Sequence, residues 1–208
     1  MICLALEFSS DRRSVALARG NQVLAEAVQQ TDARATDAFA LIEKVLADAS
    51  VVREEIQIIA VGLGPGSYTG IRAAIALAQG WRLARGVKLT GVSSVEAMVA
   101  RAQAEKHFGR VNVAIDAQRG EFYLATWEIS TAAGREISPL KIVSAVEVQA
   151  IKNSGGNCIG PQQEQNIFPA AAEIAVLAAQ KNSAEVAELE PIYLRATTFV
   201  KAAASRQL

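Results

Sequence analysis

The stretches CLALEFSSDRRSVALA, from residue 3, and NVAIDAQRGEFYLATW, from residue 112, follow one plan. Each runs from an apolar strand to a terminal acid (Glu7, Asp116), through a polar turn with arginine, into a second strand. Such a unit opening each half of a 208-residue chain predicts two related α/β domains, 1–107 and 108–208, the second smaller and joined near residues 105–110. ICLALEF is almost continuously apolar, as suits a central strand covered on both faces. Gly20-Asn21 between two apolar runs signals a hairpin.

Apolar residues make up 51% of the chain and charged residues 20%, enough to bury a core and remain a globule. Residues 36–49 place Phe39, Ile42, Val45, Leu46 and Ala49 at helical spacing, with Thr36 as N-cap. IQIIAVG reads as a buried strand, and a long helix follows from Ser67 to Arg85. KLTGV is a short strand, and Ser93 with Glu96 predicts a capping box for a helix through Ala104. Beyond the second hairpin the pattern loosens. A further box falls at Ser144 and Glu147, CIG ends a short strand, PAAAEIAVLAAQ is a helix, and PIYLR predicts a terminal strand before a fraying end at 201–208.

Lys and Arg total 21, as do Asp and Glu, so the overall charge carries no nucleic-acid footprint. Local clusters remain at Arg12 with Arg13 and at Arg82 with Arg85, against the plainer reading of solvated surface charge. Cys3 and Cys158 lie far apart in apolar surroundings and read as buried free thiols. No run approaches the roughly 20 apolar residues of a membrane span, and the start lacks a basic leader region, so a cytosolic protein is expected. The single histidine, His107, leaves no zinc pair and no serine triad, and GxSxG is absent.

GLGPGSYTGIR, residues 62–72, packs four glycines and a proline between a strand and a helix. It is not a Walker loop, because no lysine lies between Lys44 and Lys88. Nor does it match the dinucleotide fingerprint, since Thr69 stands where the third glycine belongs. Two readings stay open. The amides near Gly66, Ser67, Tyr68 and Thr69 open a helix and form an anion site, or Ser67 caps the helix while the glycines permit close packing. Glu7 and Asp116 likewise either orient a water or magnesium ion between two lobes, or accept hydrogen bonds from turn amides.

GLGPGSYTGIRAAIALAQG resembles the signature of the bacterial TsaB (YeaZ) family. LALEFSSDRRSVAL, GVSSVEAMV, AIDAQRGEFYLATW and EPIYLR are similar to further family segments, so the resemblance spans about residues 2–200. It implies two domains of the actin, sugar-kinase and Hsp70 type, and a non-catalytic subunit for threonylcarbamoyladenosine formation in tRNA. The implied partners are a TsaD-type catalytic subunit and a TsaE-type ATPase, with a homodimer when alone, tRNA met indirectly through the complex, and no membrane. ATP and metal are implied in the partner subunits, and no cofactor or metal on this chain. The implied partner surface is helices 36–49 and 68–85, with Phe39, Ile42, Leu46, Gly70, Ala73, Ala74 and Ala78 as candidate contacts. The chain departs from the family pattern at Glu7, usually aspartate, and at Ala35, often histidine. The first departure weakens a nucleotide site; the second implies pairing specific to its own partner. The alternative functions are an ATP-binding phosphotransferase or ATPase of the same fold and, disfavoured by the missing nucleophile motif, a peptidase.

Overall fold

The computed structural model describes residues 1–30, 37–181 and 188–195. The first half forms β1 (Ile2–Glu7), β2 (Arg12–Arg19), β3 (Gln22–Gln30), α1 (Ala38–Ala49), β4 (Ile56–Gly62), α2 (Tyr68–Arg85), β5 (Lys88–Val92) and α3 (Ser94–Ala104). The second forms β6 (Gly109–Gln118), β7 (Glu121–Ile129), β8 (Gly134–Ser144), α4 (Ala145–Asn153), β9 (Asn157–Ile159) and α5 (Ala171–Gln180). The strands build a sheet ordered β3-β2-β1-β4-β5 and another ordered β8-β7-β6-β9. In each, an antiparallel meander leads back to a first strand that pairs in parallel with a fourth: β1 with β4, β6 with β9. The repeated hairpins of the sequence thus occupy equivalent places in two sheets.

β1 explains its own unbroken apolarity. Leu4 and Leu6 face the cluster containing Ile42, Val45 and Leu46 of α1 and Ile71, Ala74 and Ala78 of α2. Cys3 and Ala5, on the opposite side, meet Ala171, Ile174 and Ala175 of α5. The period-2 alternation sorts large residues toward two helices and small ones toward a third packed close.

Two helices do not stay with their own halves. α3 sends Val95, Met98, Val99 and Ala102 into the core of the second sheet with Val111, Val113 and Ala125. α5 returns from the second half to the first sheet. Its N-cap, Ala170, has no capping side chain. Instead Ala171 N–H donates to Ser14 Oγ at 2.8 Å and Ala172 N–H to Glu26 Oε1 at 3.2 Å. The first sheet therefore caps a helix belonging to the second half.

Several local expectations change. Asp37 caps α1, accepting from Ala40 N–H, while Thr36 and Ala35 lie outside the described residues, as does 201–208. The box at Ser93 does not form: Ser93 accepts from Val95 N–H, and Glu96 pairs with Lys181 at 2.7 Å. The Ser144–Glu147 box does form. PIYLR is no strand; Ile192 N–H donates to Leu63 O at 2.9 Å. β8, Gly134–Ser144, is a strand that no alternation in the sequence announces. Both cysteines are buried free thiols, and burial pushes Cys3 up to about 12.

Candidate functional site: a cleft between the two sheets and a helical groove

The ends of β1 and β6 bring the two hairpin turns to face each other across a cavity of about 620 Å³. Ser9, Arg13, Gly66, Ser67 and Tyr68 line it from the first half, and Asp116, Arg119 and Tyr123 from the second. Arg195 closes one side, bonding Ala117 O at 3.2 Å and pairing with Glu121.

The glycine turn is pressed onto the β1–β2 connection. Ser67 N–H donates to Ser9 O at 2.6 Å. A Cβ on Gly66 would lie 2.1 Å from Ser9 O, and one on Gly70 2.0 Å from Phe8 O. Ser67 Oγ accepts from Gly70 N–H at 3.3 Å and caps α2. These glycines serve close backbone approach, and two of the amides that open α2 are already used within the chain. Gly66, Ser67 and Tyr68 border the cleft; Thr69 is exposed and does not line it.

Glu7 and Asp116 occupy corresponding strand ends but differ in setting. Glu7 is fully buried and does not line the cleft. Its Oε1 accepts from Ser9 N–H at 2.7 Å and its Oε2 from Ser94 Oγ at 2.7 Å. Ser94 Oγ in turn accepts from Gly64 N–H at 3.1 Å, and Ser94 N–H donates to Gly64 O. The network ties β1, the glycine turn and α3 together. Burial raises the Glu7 carboxyl above its ordinary range against the opposing hydrogen bonds from Ser9 and Ser94. Asp116, exposed in the cleft, accepts from its own turn amide at Gln118, 2.7 Å away. Glu7 and Asp116 thus share the turn-amide role without converging on one point. His107 sits beside Glu105, 3.7 Å away, outside the cleft. Among the described residues no three His, Cys, Asp or Glu side chains gather as a metal site. Among them, too, no helix is long and apolar enough to cross a membrane.

A second cavity, about 600 Å³, runs between α1 and α2, with Phe39, Ile42, Leu77, Gly80 and Trp81 in its lining. Ion pairs Arg53–Glu43 and Arg85–Glu54 stand at its edge. Of the seven candidate contacts, Phe39 and Ala73 are exposed. Ile42, Leu46, Gly70, Ala74 and Ala78 are buried in the chain's own core, where they set the helices' position rather than offer surface. The outward face of α2 is instead Ala73, Ala76, Gly80 and Leu83, the last 91% exposed. Its signal lies in the sequence as a second small-and-apolar stripe, offset from the one at Ile71, Ala74 and Ala78.

Comparison with known proteins agrees with this architecture. Residues 23–196 match the family model described as "TsaD: tRNA N6-adenosine threonylcarbamoyltransferase". The tRNA threonylcarbamoyladenosine biosynthesis protein TsaB of Bacillus subtilis is 26% identical over 94% of both chains. Its namesake in Haemophilus influenzae is 29% identical over 92% of both. A crystal structure from Pseudomonas aeruginosa, described as an uncharacterized protein with similarity to peptidase YEAZ, superposes with a TM-score of 0.78 at 25% identity. It covers 93% of this chain and 99% of that one. The class is thus a two-sheet α/β protein related to threonylcarbamoyltransferases. Within it, the chain belongs to the TsaB (YeaZ) family.

Proposed function

We propose that this chain is a non-catalytic, cytosolic subunit in the formation of threonylcarbamoyladenosine in tRNA. It holds a TsaD-type enzyme through the α1–α2 face and works with a TsaE-type ATPase, ATP and metal belonging to those partners. Its two halves are variants of the actin, sugar-kinase and Hsp70 architecture, a reading supported by the shared strand order of the sheets. The observation that carries the partner reading is the groove between α1 and α2 beside a helix face bearing Gly80 and a 91% exposed Leu83. Burying such a face on a partner contributes roughly 25 cal/mol per Å² before the costs of association. Small residues at Ala73, Ala76 and Gly80 let a second helix approach closely.

The ATPase alternative needs room for a phosphate at the glycine turn. Against it weigh the contact of Ser67 N–H with Ser9 O at 2.6 Å and the burial of Glu7 away from the cleft. Light scattering of the chain alone and mixed with the TsaD-type protein of the same source tests the reading. The expected result is a homodimer replaced by a one-to-one heterodimer, with Gly80→Arg abolishing both. A chain that stays monomeric and ignores the enzyme, or that hydrolyses ATP unaided, would overturn it.

A further inference from the structure

Arg12 and Arg13, adjacent in the sequence, acquire company in the fold. Arg13, Arg119 and Arg195 line the cleft between the two sheets, and the Arg12 guanidinium sits 5.8 Å above the Phe168 ring. At the mouth, Tyr68 and Tyr193 pack with ring centroids 5.5 Å apart and planes inclined by 31°. Arg72 lies 5.2 Å over the Tyr68 ring and donates from Nη1 to its hydroxyl at 2.9 Å. The two tyrosines nevertheless stay 56% and 49% exposed. Opposing these five arginines are Asp11 and Asp116 in the lining and Glu121, which pairs with Arg195.

This combination has a specific use. Arginine forks match phosphodiester oxygens and stack on planar groups, whereas lysine supplies only a point charge. An exposed tyrosine offers a flat face to a base, but only to a base that is not already paired in a helix. Tyr193 is held ready: Ile192 N–H is fixed to Leu63 O, Tyr193 rests on Tyr68, and Arg195 is bonded to Ala117 O. Little side-chain entropy is then lost on binding. An apolar protein segment would find its better match in the α1–α2 groove. The cleft is lined mainly by polar and charged side chains.

We propose that the Tyr68–Tyr193–Arg72 cluster at the cleft mouth is a contact surface for an unpaired RNA strand. A base stacks on Tyr193, and Arg119, exposed in the cleft lining, takes a neighbouring phosphate. The surface shares no residue with the lining of the partner groove and gives the chain direct contact with RNA. It rests on the tRNA-modification reading only for the identity of the natural strand.

The test is fluorescence anisotropy of the purified full-length chain with a short single-stranded RNA, a duplex of the same sequence, and an unmodified tRNA transcript. The single strand and the tRNA should bind, the duplex more weakly. Affinity should fall as salt rises, with a log–log slope of roughly −0.7 per phosphate contacted. Tyr193→Ala should weaken single-strand binding on the order of tenfold, and Tyr193→Phe should restore it. Arg119→Glu should weaken binding and flatten the salt slope, with thermal melts of each variant separating lost contact from lost fold. No binding at low salt, equal affinity for the duplex, or unaltered affinity in Tyr193→Ala would each overturn the proposal. So would a Tyr193→Ala chain that binds RNA normally but loses the TsaD-type enzyme, since the surface would then be a protein contact. The RNA-binding results leave the partner reading standing, since that reading is tested separately by Gly80→Arg.

Discussion

Glu7 carries a carboxylate whose donors are one amide and one hydroxyl, with no cation among the described groups acting on it. Burial raises its folded-state pKa above the ordinary 4.5, so the folded chain holds the proton more tightly than the unfolded chain. The stability this group contributes is complete below about pH 4.5 and is lost as pH rises through the folded value. Glu7→Gln, neutral at every pH, should flatten that decline, seen in melting temperatures followed from about pH 4.5 to about pH 8. Parallel curves for the two proteins would mean that the ionised Glu7 is no worse for the fold than a neutral side chain. Gly70 gives a steric counterpart. A Cβ there would stand 2.0 Å from the Phe8 carbonyl, a backbone atom that cannot swing aside. Gly70→Val should destabilise the chain by about 1–3 kcal/mol in chemical denaturation. Loss of partner binding should accompany it, because α2 can no longer seat on β1. The turn-amide role of Glu7 follows from a carboxylate at a strand end. Its burial does not, because that depends on Ser94, 87 residues away, closing over it.

α2 carries two apolar faces, and they make opposite predictions. Ile71, Ala74 and Ala78 pack inward, while Gly80 points to open space, with nothing within 4 Å of an added Cβ. In the isolated chain Gly80→Ala should therefore raise stability by about 0.5–1 kcal/mol through reduced backbone freedom. A loss of stability in the monomer would show that Gly80 is needed by the fold itself. The helices and central strands were legible from sequence because their periodicities are strong and their caps local, as at Ser67 and Ser144. β8 was not. It is an edge strand with much of its length exposed, and its Pro139 lies in an irregular stretch of pairing with β7. The exposure of the candidate contacts was only half legible for a related reason. Spacing identifies an apolar stripe, but which stripe faces the sheet depends on Phe8, Leu4 and Leu6 beneath it. PIYLR misled in the other direction: its β-favouring residues find the Leu63 carbonyl and the Tyr68 ring instead of a strand partner.

The two halves are joined more deeply than a repeat of hairpins suggests. α3, which follows the first sheet in sequence, fills the core of the second, and α5 crosses back to be capped by Ser14 and Glu26 of the first. Two ion pairs, Lys181–Glu96 at 2.7 Å and Arg101–Glu173 at 3.7 Å, bind α3 to α5 between the sheets. A fragment of residues 1–107 keeps all five strands of its sheet yet loses α5 from one face. Cys3, Ala5, Ala16, Ala18, Ile58 and Ala60 then meet water. It also leaves Val95, Met98, Val99 and Ala102 of α3 without the second sheet. Contiguous apolar surface of that kind drives association or loosens packing. The full chain should accordingly melt in one cooperative transition seen alike by near- and far-ultraviolet circular dichroism. The 1–107 fragment should aggregate or bind a hydrophobic dye without a sharp melt. If it instead unfolds cooperatively near the full chain's midpoint, α5 is an accessory to the first sheet, and the halves are independent units that happen to exchange helices.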